Sequence, residues 1–340
     1  MKTSKKIIIF IVLNLAVTLF LNSILNEPSI TAAKLNKTHE AGASYNTIVL
    51  GQSHAECGIN PAVLDENLNA DSMNCARALI SIKEIYYILL DADSNHTVKR
   101  VIMELNPFYW NDEQTNGKGE DSNALYFLSW KTKPKFFFNE VLGTSFSRSL
   151  FDYTVKANSI INIPTVIKTK LNPEYLKSAV SGTSASYVFN NSRNEYSEKG
   201  FEFRCQKADT PYWEHQFETD QERTGCEKTF KKICDYCEEN GIELICFISP
   251  VHPQRLRQEN FDDSHEYFEK LCQKNNVRFI DFNYVTKEAL PREDKDFVDI
   301  DGHTIVELSD RTTKLLCDFI KGDLKDCFYS SYDEVKANIK

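Results

Sequence analysis

Five short apolar runs with helix-period segments between most of them decide what this chain can fold into. They are Thr47 to Leu50, Asp71 to Asn74, Arg100 to Leu105, Glu243 to Ser249 and Arg278 to Asp281. Runs this short, apolar without strict alternation, read as strands buried on both faces. Strands that alternate with helices imply a parallel sheet covered by helices on its two sides, an α/β fold.

The helix signals have local physical causes. Ser81-Ile82-Lys83-Glu84 is a capping box, followed by Ile82, Ile85, Tyr86 and Leu89 on one face. Asn60-Pro61 opens another helix, with Pro at a position whose N–H needs no partner. Cys226 to Asn240 is a third, stopped by Gly241, and Ser264 to Asn275 a fourth. Ser309 to Lys321, ending at Gly322, is the last, and the charged stretch 322–340 is expected to be peripheral.

Lys2, Lys5 and Lys6 precede Ile7 to Leu21, an apolar run broken only by Asn14 and Thr18 and resumed at Ile24 and Leu25. At helical rise, 7–25 spans roughly 28 Å, about one bilayer core. Residues 1–25 therefore read as a cytoplasmic stub and a single-pass signal anchor at the cell membrane. The lysines stay inside and the rest of the chain is extracytoplasmic. A cleaved signal peptide and a secreted product is the alternative, with Ser29 to Ala33 offering small residues for cleavage. Residues 26–44 lack an apolar period and read as a tether. The main domain is then 45–321.

Composition removes several function classes. The 340 residues carry 40 Lys and Arg against 49 Asp and Glu, a formal charge of −9. With no long basic run, nucleic acid is not an expected partner. Ten cysteines are too sparse for a disulfide framework. Cys205 and Cys226 could bridge in an oxidising compartment, whereas Cys234 and Cys237 share the apolar face of a helix with Phe230 and Ile233 and read as buried. Without a second Cys/His pair at zinc spacing, no metal is expected.

Between Pro107 and Gly225 the alternation fails. Residues 107–225 form a long insertion rich in aromatics: Phe108-Tyr109-Trp110, Tyr126-Phe127, Trp130 and Phe136-Phe137-Phe138. A lid or substrate platform over the strand ends and a helical subdomain with its own core are both open readings.

The chemistry concentrates at two loops. In Thr47-Ile48-Val49-Leu50-Gly51-Gln52-Ser53, an apolar strand stops at a glycine and a serine follows. Ligands of open α/β sheets bind beyond the carboxyl ends of strands, and this is such an end. A serine hydroxyl needs an adjacent base to act as a nucleophile, and Ser53 alone also reads as a turn residue or helix cap. Phe297-Val298-Asp299-Ile300-Asp301-Gly302-His303, before the last helix, puts an Asp and a His in one short loop. There a carboxylate can fix the imidazole tautomer while the other nitrogen faces Ser53. His252, after the fourth strand, faces the same edge, as a substrate contact or a satisfied loop histidine. His54 and Glu56 flank Ser53.

Gly51-Gln52-Ser53-His54-Ala55-Glu56-Cys57-Gly58-Ile59-Asn60-Pro61, with the Asp/His loop, resembles the SGNH (GDSL-like) hydrolase superfamily. Its S-H-A…G-I-x-P variant is similar to the membrane-anchored cell-envelope branch that includes D-alanyl-lipoteichoic acid transfer proteins. The resemblance covers about Tyr45 to Pro107 and Gly241 to Lys321. It implies a three-layer α/β/α domain on a mainly parallel, five-stranded, flavodoxin-like sheet. It also implies Ser53 as nucleophile and His303 as general base. The family's Asp stands three residues before the His, where this chain has Ile300. Asp299 is preferred because Phe297-x-Asp299 matches the family approach, and Asp301 is the alternative. The implied oxyanion hole combines the Ser53 N–H, the Ala76 N–H (from Asn74-Cys75-Ala76-Arg77, with Ala where Gly is usual) and Asn106 (from Glu104-Leu105-Asn106-Pro107). Asn106 before Pro107 also reads as a cap.

The expected function is a serine ester hydrolase or acyltransferase without a cofactor. It would act on a cell-envelope glycan or teichoic acid-like polymer and could be served by a membrane-bound acyl donor protein. A catalytically weak SGNH-fold protein that binds glycan or a biosynthetic partner is the competing expectation.

Overall fold

A computed structural model describes residues 5–10, 12–14, 17, 29–40, 42–111, 124–141, 163–181, 183–192, 194–205 and 214–339. In chain order its elements begin with α1 (Ile30–His39), β1 (Thr47–Leu50), α2 (Ser53–Gly58), α3 (Pro61–Leu68), β2 (Ser72–Asn74), α4 (Ile82–Ala92) and β3 (Arg100–Glu104). The insertion contributes α5 (Ala124–Phe127), α6 (Lys133–Phe136), α7 (Ile163–Lys170), α8 (Pro173–Ser181), α9 (Ser184–Asn190) and the hairpin β4 (Glu195–Tyr196) and β5 (Glu202–Phe203). Then come α10 (Thr224–Glu239), β6 (Glu243–Ile248), α11 (Pro253–Gln258), α12 (Phe261–Lys274), β7 (Arg278–Asp281), α13 (Val306–Lys321) and α14 (Tyr332–Asn338).

The five main strands pair in the order β2-β1-β3-β6-β7, every pair parallel. This is the doubly wound order in which the chain turns back at β1, so the ends of β1 and β3 open a crevice. Side chains alternate between two cores. Ile48, Leu50, Val101 and Met103 face one, and Val49, Ile102, Ile245 and Phe247 the other, all essentially inaccessible to water. Each such aliphatic side chain contributes about 1.5–3 kcal/mol by leaving water, which explains why the strands read as unbroken apolar runs.

The capping signals act as expected. The Ser81 side chain accepts from Glu84 N–H while Glu84 reaches back to the Ser81 N–H. Asn60 accepts from Ala62 N–H ahead of Pro61. Helix α13 closes at Gly322. The face shared by Phe230, Ile233 and Cys237 on α10 is buried, and burial pushes the Cys234 and Cys237 thiols up to about 12. Cys205 lies at the surface and Cys226 in the core.

Two expectations need correction, and one of the two open readings of the insertion is set aside for its described parts. Residues 30–39 are not a tether: they form α1, which buries Ala33 and Leu35 in the main core and Lys34 completely. The stretch after 322 is not merely peripheral. Helix α14 sets Tyr332 and Val335 against Val251, Leu256 and Phe261, and the Tyr332 hydroxyl donates to the Leu256 carbonyl at 2.7 Å and that of Glu259 at 3.0 Å. The described parts of the insertion have no core of their own. Trp110, Phe127, Leu128, Phe136, Phe189 and Phe217 join the cluster that contains Ile48 and Leu50. Its hairpin docks on the edge of the sheet, where Asn74 N–H donates to the Lys199 carbonyl at 2.9 Å.

Among the described residues no helix is long and apolar enough to cross a membrane. The expected anchor falls largely outside them; Ile7 to Phe10, Val12, Leu13 and Val17 are described, helical and exposed.

Candidate active site

The site lies at the carboxyl ends of β1 and β3. The register sets Leu50 beside Met103, which brings the turn after β1 against Glu104. Gly51 has φ +146°, a conformation that favours glycine. A Cβ there would lie 2.6 Å from the Glu104 Cβ and 2.8 Å from that of Ala55. The turn lifts Ser53 to the first position of α2. The buried Glu104 carboxylate accepts from Gln52 N–H at 2.8 Å, Ala55 N–H at 3.3 Å and the Ser249 hydroxyl at 3.1 Å. Burial raises its carboxyl above the ordinary range, and those bonds offset only part of the rise.

The second loop folds back on itself. Val298 N–H donates to the His303 carbonyl at 2.7 Å, and Phe297 bridges Thr304. Gly302, at φ +102°, makes the turn and packs against the Val251 backbone. The turn wraps the Asp299 carboxylate: Oδ1 accepts from the N–H groups of Gly302 (3.1 Å) and His303 (3.2 Å), and Oδ2 lies 2.8 Å from His303 Nδ1. Burial alone would raise the Asp299 carboxyl, but the ring and N–H of His303 outweigh it and hold it at about 2.

With Nδ1–H donated to that carboxylate, His303 Nε2 is left as an acceptor, 2.8 Å from Ser53 Oγ. The loops therefore bring Ser53, His303 and Asp299 into one hydrogen-bonded chain. Of the two candidate carboxylates, Asp299 makes the contact with His303. Asp301 contributes its backbone carbonyl, which accepts from His54 Nε2 at 2.9 Å and Arg255 Nη1 at 2.7 Å.

The expected oxyanion donors fare differently. Ser53 N–H, at the start of α2, has no acceptor among the described residues. Ala76 N–H donates to Asn74 Oδ1 at 3.0 Å, and the Ala76 carbonyl accepts from Lys34 at 2.6 Å. Its N–H is thus already engaged. Asn106 accepts from Phe108 N–H and turns its amide nitrogen to His54 Nδ1, 3.0 Å away. It caps the short turn after β3 and keeps a second amide proton. His252 Nδ1 accepts from Gln254 N–H at 3.1 Å, capping α11, and its ring lies against Phe297.

Several site residues escaped sequence reasoning. Glu104 ends an apolar strand, and a lone carboxylate there is the one signal that could have marked it. Arg255, buried, pairs with Glu259 through Nε and Nη2, stacks over Phe108 at 4.1 Å and pins the Asp301 carbonyl. Asn74 donates to the carbonyls of Ala55 and Ile59, both at 2.9 Å, fixing the exit of α2. Among the described residues no three His, Cys, Asp or Glu side chains converge to hold a metal ion.

No protein-family model matches the chain, and no curated protein matches it.

Proposed function

We propose that this protein is a serine ester hydrolase or acyltransferase that works through an acyl-enzyme on Ser53. The observation that carries the reading is the relay Ser53 Oγ–His303 Nε2–Asp299, with both contacts at 2.8 Å. His303 takes the Ser53 proton as Oγ attacks an ester carbonyl, and the carbonyl electron pair moves to oxygen. The tetrahedral species collapses, the alcohol leaves with the proton from His303, and an acyl-Ser53 ester remains. Water or a sugar hydroxyl then reverses the sequence, with His303 again the base. The Asp299 carboxylate stays ionised throughout and stabilises the imidazolium. The Ser53 N–H and the second Asn106 amide proton are the donors proposed for the oxyanion.

The strand order, the Gly51-Gln52-Ser53 turn and the Asp299/His303 loop support a place in the SGNH-like hydrolases. The proposed substrate is a cell-envelope glycan or teichoic acid-like polymer outside the cytoplasm. The exposed, helical apolar residues Ile7 to Phe10, Val12 and Leu13, preceded by lysines, support an anchor that holds the domain at the membrane.

One observation favours a second reading, a weakly catalytic protein that binds such a polymer: the Ala76 N–H is engaged by Asn74. Loss of one oxyanion donor costs about 3–4 kcal/mol of transition-state stabilisation. A fluorophosphonate probe applied to the full chain separates the two. Labelling that disappears in Ser53→Ala supports the enzyme. Folded wild type that takes up no label supports the binder.

A further inference from the structure

We propose that His54 is a positioning residue that couples the proton relay to the oxyanion donor, an inference that rests on the acyl-enzyme reading of Ser53. His54 is the next residue after Ser53, and its ring is buried. Three contacts define it. Nδ1 lies 3.0 Å from the Asn106 amide nitrogen, Nε2 lies 2.9 Å from the Asp301 carbonyl, and the ring stacks on His303 with centroids 4.6 Å apart and planes 13° from parallel.

The partners fix the tautomer. Asn106 Oδ1 accepts from Phe108 N–H, so the amide donates to His54 and Nδ1 carries the lone pair. The Asp301 carbonyl can only accept, so Nε2 carries the proton. The Asn106 bond needs a neutral ring, because an imidazolium has no lone pair to accept it. The surroundings agree. His303 and Asp299 face His54 from their loop, Arg255 from α11, and Glu104 from β3 at 3.8 Å. Burial, His303 and Arg255 disfavour the charged ring more than the Asp301 carbonyl and Asp299 favour it, and hold it well below the ordinary histidine range.

The consequence is mechanical. When His303 takes the Ser53 proton, it becomes a cation stacked on an uncharged face rather than on a second cation. The same side chain orients the Asn106 amide and, through Asp301, the loop that carries His303. His54 therefore sets the angle of a donor and the plane of a base together.

A mutant cycle on the full chain tests this, read as the rate of fluorophosphonate labelling of Ser53 from pH 6 to 9, alongside thermal unfolding. His54→Leu should label about 100-fold more slowly, near the loss caused by removing one oxyanion donor. His54→Gln should recover most of that rate, since its amide can accept from Asn106 and donate to Asp301. Adding Asn106→Ala to His54→Leu should cost little more, because the pair acts as one unit. Should His54→Leu fail to fold, the same cycle is run with His54→Phe, which keeps a ring against His303 but offers Asn106 no acceptor and Asp301 no donor. Labelling of His54→Leu within about threefold of wild type, or effects that multiply in the double variant, overturns the coupling. Folded wild type that takes up no label overturns the Ser53 reading and this inference with it.

Discussion

Lys34 Nζ lies 2.7 Å from Glu56 Oε1, with the lysine side chain fully buried and the glutamate nearly so. The pair joins α1, the helix that immediately precedes the sheet, to the helix that carries Ser53. Lys34 also donates to the Ala76 carbonyl, and Glu56 accepts from Ala78 N–H and the Tyr196 hydroxyl. The segment between the apolar N-terminus and the sheet is thereby bolted to the floor of the candidate site.

Removing one partner leaves an uncompensated buried charge. Lys34→Met should destabilise the fold by about 3–5 kcal/mol, and Lys34→Met with Glu56→Leu should recover part of the loss. Urea denaturation of the two variants checks this. A single variant as stable as wild type would mean that the pair carries no structural weight.

Gly51 allows no side chain. Gly51→Ala combines a left-sided φ with a Cβ 2.6 Å from that of Glu104. Backbone strain and overpacking of about 1–3 kcal/mol each should lower the unfolding midpoint together and displace Ser53. Thermal unfolding and the probe-labelling rate should both fall.

The two loop aspartates should separate cleanly. Asp299→Asn keeps the shape but removes the charge that fixes the His303 tautomer, so labelling should slow about 10³–10⁴-fold while the circular dichroism spectrum is unchanged. Asp301→Ala keeps the carbonyl that His54 and Arg255 use, so labelling should stay near wild type. The reverse ranking would assign the third relay position to Asp301.

Acid should weaken the fold through Asp299. Its folded value of about 2 lies below the ordinary 3.8. The group therefore stabilises the native state fully above pH 3.8, and that contribution, about 2 kcal/mol, fades as pH falls towards 2. Urea denaturation at pH 5 and at pH 2.5 should show a smaller loss in Asp299→Asn than in wild type.

What could be read from the chain follows the range of the interactions. The β7 run Arg278 to Asp281 and the capping box at Ser81 were legible because their causes are local. Ser53 and the Asp299/His303 loop were legible because strand ends of such sheets gather chemistry. Helix α1 was not, because only Ala33 and Leu35 are apolar in its buried face and Lys34 is buried by a carboxylate 22 positions away. The engagement of Ala76 N–H by Asn74 depends on a side-chain rotamer that no pattern encodes. Glu104 needed the register of β1 against β3 before its three donors could be seen.

Ser53 and His303 stand 250 positions apart. On the ribosome the hydroxyl is made early and the imidazole late, so a growing chain carries no activated oxygen. Any copy cut short before that final loop keeps its serine but has nothing to receive the proton. The relay proposed for Ser53 therefore cannot form until the Asp299/His303 loop has been made and folded against the turn after β1.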